Sequence, residues 1–226
     1  VLDDLAFIVG PPLSVGLSML LFPEAGPLAA ALFLIIGVGL FVVQRRTEPP
    51  VSPDADSEKG RTSSMLRQPV VRTLALFMLA QGVIVGVIDV ASVAFATAQG
   101  QPGMASVVLS FYALGSCAMG LLFGTLRLQM PLSRQIVWVG ASVAISALPL
   151  LLASNLTALT LAVLLAGITF GPTITVAMSL VEQQVQANRL TEGMTWLLTG
   201  LASGVALGAA AAGWLIDHWG AQQSFV

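Results

Sequence analysis

The sequence predicts an all-α integral membrane protein, a polytopic helical bundle, and three observations lead to this prediction. Of the 226 residues, 56% are apolar and only 9% are charged. Mean hydropathy is +0.91. A soluble domain has about a quarter charged residues, so this chain lacks the polar surface that water would wet. The apolar residues are also grouped in segments of about 20, the length that a helix needs to cross a bilayer.

Seven segments are predicted to span the membrane. Short connections rich in turn formers, such as FPEAGP, GQPGM and SNLT, separate most of them. The chain starts without Met in an apolar segment and stops at AQQSFV, so we expect a fragment that is cut at both ends. The predicted spans are 4–22, 27–44, 73–97, 105–126, 136–153, 158–181 and 194–216.

One connection, residues 45–72, differs from the others. It holds six of the nine basic residues, four acids and four prolines. Such a composition cannot bury enough apolar surface to fold, so it predicts a solvated and mostly disordered linker.

The basic residues predict the orientation. Besides the linker, they occur only between the fourth and fifth spans (Arg127, Arg134) and between the sixth and seventh (Arg189). All nine therefore lie on one side of a seven-span protein, and the positive-inside rule makes that side cytoplasmic. The amino end is then inside and the carboxyl end outside. We expect a monomer.

Composition also excludes several functions. A net charge of −2 offers no basic surface to nucleic acid. Cys117 is the only cysteine and His218 the only histidine, which leaves no metal cluster and no internal disulfide. Neither a glycine-flanked nucleophile nor a phosphate-binding glycine loop occurs. We therefore predict no enzyme, no cofactor and no metal, with the lipid bilayer as the main partner.

Glycines recur at helix-packing spacing in several spans. Glycines four residues apart allow two helix backbones to approach closely, so they predict a tightly packed bundle. The glycines concerned are Gly82, Gly86, Gly120, Gly124, Gly167, Gly171, Gly200, Gly204 and Gly208.

Asp89 lies within the third span, in GVIVGVIDVASVAF, with no other charged residue between Arg72 and Arg127. It is about 25 Å along the helix from Arg72, in the outer half of the membrane, on the face of Gly82 and Gly86. Intramembrane acids are costly, which favours a proton-binding or cation-coordinating group that lines a pathway. The alternative is a structural carboxylate that bonds a neighbouring helix. Gln81 lies on a nearby face and could line the same pathway or join two helices.

Acids and helix breakers also mark the spans. Asp3 and Asp4 begin the first span and Glu192 begins the seventh. They could stabilise the helix amino termini or serve as acids of an inner gate. The pairs Gly10-Pro11 and Gly171-Pro172 predict kinks or exposed carbonyl groups, with a possible gating role.

Four stretches together resemble the major facilitator superfamily, especially its bacterial drug-exporter-like members. They are LDDLAFIVGPPLSVG, the charged linker, GVIDVASVAFATAQG and LSFYALGSCAMGLLFG. The resemblance implies helices five to eleven of a twelve-helix transporter. Residues 1–44 would end the amino-terminal half, 45–72 would be the cytoplasmic central loop, and 73–226 would be the carboxy-terminal half without its last helix.

Two family motifs are present only in part. The cytoplasmic loop motif is represented by GTLRLQMPLSR, in which Gly124, Leu126, Arg127 and Arg134 remain, while Leu128 replaces its acid. In the antiporter motif of the fifth helix, Gly10-Pro11 match, but Ala6 replaces the preceding glycine.

The sequence thus predicts a secondary active transporter that exports a small molecule in exchange for H⁺ by alternating access. A seven-helix receptor or retinal-type protein is the main alternative, but the only lysine, Lys59, lies in the linker, where it cannot form an intramembrane Schiff base. A non-transporting membrane scaffold is a third possibility, which would leave Asp89 unexplained.

Overall fold

The computed structural model describes residues 2–44, 64–125, 130–153 and 155–219, except for the side chains of 2–5, 7, 133 and 219. Within these residues the secondary structure is helical and contains no strand. The α-helices are α1 (Leu2–Leu20), α2 (Ala25–Val43), α3 (Pro69–Ala98), α4 (Met104–Thr125), α5 (Leu132–Ala147), α6 (Leu156–Gln184) and α7 (Leu190–Trp219). Short 3₁₀ helices precede α3 (Met65–Arg67), extend α5 (Leu148–Leu152) and precede α7 (Ala187–Arg189).

The predicted all-α polytopic membrane bundle is confirmed. Six of the described helical segments, which contain α2 to α7, are long and apolar enough to cross a membrane. The first predicted span differs, because its apolar part is the shorter stretch Ile8–Leu20. The polar residues Asp3 and Asp4 in the first turn of α1 explain why its apolar part is short.

The chain divides into two compact units. The smaller unit comprises residues 12–64, and the larger one comprises residues 1–11 together with 65–226. In the smaller unit the start of α2 lies close to the end of α1. The backbone N–H of Gly26 donates to Ser18 Oγ at 3.2 Å. Gly26 is buried, and a Cβ atom there would overlap the Ser14 hydroxyl.

The larger unit has two apolar clusters, one towards each end of its helices. The basic-end cluster joins the first part of α3, the middle of α5 and the start of α7 to the end of α6. The far-end cluster joins the second half of α3 to the starts of α4 and α6 and to the 3₁₀ extension of α5. The basic-end cluster contains Met65, Val71, Leu74, Met78, Val139, Val176, Ala177, Leu180, Val181, Val185 and Leu197. The far-end cluster contains Ile88, Ala91, Phe95, Val108, Leu150, Leu159, Ala162, Val163 and Ala166.

The end of the predicted linker is helical, so the prediction of a disordered chain is wrong there, although five of residues 65–72 are exposed as the prediction of a solvated segment requires. Helix α3 already begins at Pro69, and Met65 is only 1% exposed within the basic-end cluster. The reason is local, because a proline suits the first turn of a helix and Met65 and Val71 add apolar side chains to the cluster. The rest of the linker, residues 45–63, lies outside the described residues.

The helix contacts show which helices run in the same direction. Successive glycines of α7 lie against successive turns of α3, so these two helices are parallel. Helices α4 and α6 are parallel for the same reason. The contacting pairs are Gly200 with Ala75, Gly204 with Leu79, Gly208 with Val83, Gly167 with Tyr112 and Gly171 with Ser116.

We expect labelling experiments to separate the two ends of the bundle. A cysteine at exposed Gln101, between α3 and α4, should react with an impermeant maleimide added outside the cell, whereas one at exposed Gln186, before α7, should not. The native Cys117 is buried, so the background is low. Reaction at Gln186 without permeabilisation would reverse the orientation that the basic residues predict.

Candidate functional site

Asp89 lies in the far half of α3 and is partly buried. Its neighbour Ile88 belongs to the far-end cluster, whereas Val93, one turn further along the same face, is 48% exposed. The face of α3 that the sequence predicts to point into the bundle is therefore exposed at Val93, one turn beyond Asp89. Among the described residues no ion pair is formed with this carboxylate. It is the only charged side chain of α3 to α7 that lies outside their first and last turns.

Gly82 and Gly86 form the glycine stripe of α3. They place its backbone directly against α7, within two turns before Asp89. A Cβ atom at Gly82 or Gly86 would overlap the backbone carbonyl of Leu201 or Val205, respectively. The reciprocal contacts from α7 also involve backbone atoms of α3. Because rotation of either helix would bring a side chain against the backbone of the other, this close contact fixes the direction in which the residues of α3 point.

Gln81 and Tyr112 form a second polar feature, between α3 and α4. Gln81 is 3% exposed, and the Tyr112 hydroxyl interacts with Gln81 and, electrostatically, with Asp89. The two side chains do not reach hydrogen-bond geometry, so Gln81 Oε1 and the Tyr112 hydroxyl, like buried Ser92 Oγ, have no partner in the described part of the chain. Leaving such a group unsatisfied costs about 1–3 kcal/mol, so native structures usually avoid it.

Other buried hydroxyl groups in this region are satisfied by their own helix. Thr173 Oγ1 donates to the Thr169 carbonyl at 2.6 Å, and Thr169 Oγ1 donates to the Ala166 carbonyl at 2.8 Å. Ser146 Oγ lies 3.3 Å from Thr169 Oγ1 and so links α5 to α6. The unsatisfied groups on α3 and α4 are thus not a general feature of this bundle.

Sequence reasoning singled out Asp89 and Gln81 but not Tyr112. The ring of Tyr112 packs against that of Phe170 on α6, with 5.6 Å between the centroids. It is the only tyrosine of the chain, inside the apolar stretch LSFYALG. An isolated phenol in a membrane span is the signal that could have identified it, because a buried Tyr hydroxyl normally needs a partner.

Comparison with known proteins agrees with this architecture. A family model described as Major Facilitator Superfamily matches residues 86–226, more than half of the chain. This chain belongs to the Major Facilitator Superfamily. No curated protein and no solved structure gives a significant match. The protein is therefore a multi-pass membrane transporter of the Major Facilitator Superfamily, and the receptor and retinal-type alternatives are wrong.

In this Major Facilitator Superfamily protein Glu192 holds the segment that precedes α3. Its Oε1 accepts the backbone N–H of Met65 at 2.9 Å, and its Oε2 accepts Arg189 Nη2 at 2.7 Å. Both carboxylate oxygens are thus engaged at the start of α7. The predicted stabilisation of a helix start is accompanied by a contact between distant parts of the chain, which the sequence did not indicate.

The proline pairs leave both helices continuous. Helix α6 runs through Pro172, and α1 runs through Gly10 and Pro11. Pro12 has no N–H, so the Ile8 carbonyl loses its usual partner within α1. Ser110 Oγ of α4 lies 2.9 Å from this carbonyl and 2.8 Å from that of Ser106, so its single proton can serve either one.

Several predicted residues are not brought into the site. The side chains of Asp3 and Asp4, and all of Leu126 and Arg127, lie outside the described residues. Arg134 is exposed near the start of α5, and a Cβ atom at Gly124 would meet nothing within 4 Å. Gly120 and Gly171, by contrast, lie against each other. Gating roles for these residues stay predictions.

A cavity of about 570 Å³ lies between the start of α5 and the end of α6, away from Asp89 and Gln81. Its lining is uncharged and comprises Met130, Pro131, Leu132, Gln135, Ser179, Leu180, Gln183 and Gln184. Within the described part of the chain, no three His, Cys, Asp or Glu side chains meet in a way that could hold a metal ion. Asp89, Gln81 and Tyr112 are not among the residues that line this cavity.

Proposed function

We propose that this transporter exports a small molecule in exchange for H⁺ and that Asp89 is the group that binds the proton. The observation that supports this is the isolation of Asp89, which is partly buried inside a membrane-spanning helix and has no ion-pair partner among the described residues. A charged carboxylate in that position is costly, whereas its protonated form is neutral. Proton binding therefore changes the energy of burying this side chain.

This change in burial energy can be coupled to alternating access. A transporter of this type exchanges two arrangements of its helices around one central site. The arrangement that buries Asp89 more deeply is favoured by its protonated form, and the one that exposes it to water is favoured by its ionised form. Because the rigid α3–α7 contact carries Asp89 along with both helices, a movement of this pair changes its access to water.

The division into halves belongs to the same proposal. Residues 1–44 would end the amino-terminal half, 45–72 would form the cytoplasmic loop, and 73–226 would belong to the carboxy-terminal half of a drug-exporter-like bacterial protein in the cell membrane. The motif at Gly10-Pro11 supports an antiporter. Asp3, Asp4 and Glu192, which begin α1 and α7, would be the acids of an inner gate.

Transport by the intact protein in inside-out membrane vesicles tests this function. We expect at least one member of a panel of fluorescent neutral, anionic and cationic small molecules to accumulate when a pH gradient, acidic inside, is imposed. Nigericin, which collapses the pH gradient, should abolish accumulation, whereas valinomycin, which collapses the membrane potential, should reduce it less. Accumulation that proceeds equally without a pH gradient would contradict coupling to H⁺.

A further inference from the structure

We propose that Gln81 and Tyr112 form a hydrogen-bonding subsite beside Asp89 that selects cationic small molecules carrying hydrogen-bond donors. This inference rests on the proposed function, because it concerns the molecule that this site exchanges for H⁺. Its starting point is the pair of buried polar atoms, Gln81 Oε1 and the Tyr112 hydroxyl, that have no partner in the described residues.

The chemistry of these groups indicates what would satisfy them. Gln81 Oε1 and an ionised Asp89 accept hydrogen bonds but donate none, and the Tyr112 hydroxyl can do both. A ligand that fits all three must bring N–H or O–H donors. A ligand made only of acceptors could bond the Tyr112 hydroxyl or the Gln81 amide N–H, but it would leave Gln81 Oε1 and Asp89 without a donor.

Charge restricts the ligand further. The other charged side chains of α3 to α7 lie in the first or last turns of their helices, namely Arg72, Arg134, Glu182, Glu192, Asp217 and, when protonated, His218. Asp89 is therefore the only charged side chain in the interior turns of α3 to α7, and its charge is negative. An anion would meet it without a compensating base on these helices, whereas a cation would be attracted.

The arrangement along α3 gives the subsite its length. Gln81 and Asp89 are eight residues apart, about 12 Å along the helix. Tyr112 of α4 packs against the far-end cluster, which includes Ile88, the neighbour of Asp89. Its hydroxyl lies near Gln81 and is affected by the charge of Asp89. Its ring and that of Phe170 also offer aromatic surface, which suits a positive group. A cation with its charge near Asp89 and its donors towards Gln81 matches this order of groups.

Two permanent cations that differ in donors test the inference on the purified intact protein at equilibrium, without a gradient. Ethidium carries two amino groups, and tetraphenylphosphonium carries no donor. We expect Asp89→Asn to weaken the binding of both cations. Gln81→Leu and Tyr112→Phe should each lower the affinity for ethidium roughly five- to tenfold, the effect of one lost hydrogen bond. The affinity for tetraphenylphosphonium should change less than about twofold in these two variants. Gln99→Leu, at the exposed end of α3, is the matched control.

Thermal unfolding separates recognition from structure. Because the Tyr112 hydroxyl has no partner, Tyr112→Phe should unfold at the same temperature as the wild type or higher, even though ethidium binding weakens. Failure of both cations to bind, equal loss of both cations in the Gln81 and Tyr112 variants, or tighter binding of an anionic probe such as benzoate would overturn the inference.

The outcomes also distinguish this inference from H⁺ coupling. If the binding pattern holds but a pH gradient drives no flux, then coupling fails and the subsite stands. If a pH gradient drives only neutral or anionic molecules, then coupling stands and the selection of cations is wrong.

Discussion

Replacing Gly204 with leucine is expected to destabilise the protein by about 3 kcal/mol or more, because the new side chain has no space. A Cβ atom at Gly204 would overlap the backbone carbonyl of Leu79 and lie 2.9 Å from the backbone nitrogen of Val83. Both are main-chain atoms of α3, so relief requires the two helices to move apart. For a chain of this size we expect the apparent melting temperature to fall by roughly 6–12 °C.

Gly213→Leu provides the matched control on the same helix, because a Cβ atom there would meet nothing within 4 Å. Unfolding of the detergent-solubilised protein can be followed with a thiol-reactive dye, since the single cysteine, Cys117, is buried in the folded state. We expect Gly213→Leu to unfold near the wild-type temperature. A Gly204→Leu protein that melts with the wild type would show that α3 and α7 are not in backbone contact.

Close packing of the glycine face of α7 against another helix could be expected from the sequence, because it depends on a repeated local pattern. Three glycines at intervals of four residues on α7 leave one face without side chains, and a face of that kind in a membrane helix is explained best by a close neighbour. The same spacing is misleading at Gly124, which has open space around it. Spacing shows that a helix face is flat, but the neighbour is set by the tertiary structure.

The contacts of Met65 and Tyr112 could not be predicted from the sequence. Met65 is a single apolar residue at the end of a polar segment, and its position depends on Glu192, 127 residues further along the chain. Tyr112 lies in an apolar run in which many other side chains would preserve the helix equally well. Its importance comes from the unsatisfied oxygen of Gln81 across the helix boundary. Both depend on which distant groups meet, so no local pattern reports them.

The glycines and Asp89 therefore have separate consequences that variants can distinguish. The glycine stripe determines whether α3 and α7 pack, and this shows in stability. Asp89, three residues after Gly86 on α3, has no ion pair among the described residues. Its loss should show in coupling and hardly in stability.

Asp89→Asn is expected to reduce H⁺-driven transport to the background of vesicles without the protein, while folding stays near normal. Asparagine keeps the size and the hydrogen-bonding groups of a neutral carboxyl group but cannot take up or release a proton. Since no described ion pair is broken, no charged partner is left buried, so the usual large penalty for removing half of an ion pair does not arise. Flux that persists should no longer depend on the pH gradient.

Asp217→Asn, at an exposed position near the end of α7, is the matched control and should transport like the wild type. The amount of folded protein is measured through the protection of Cys117, and flux is expressed per folded molecule. A structural carboxylate predicts less folded Asp89→Asn protein but normal pH-driven flux per folded molecule. A proton carrier predicts normal folding without pH-driven flux. Wild-type dependence on the pH gradient in the asparagine variant would exclude Asp89 as the coupling group, because asparagine cannot take up or release a proton.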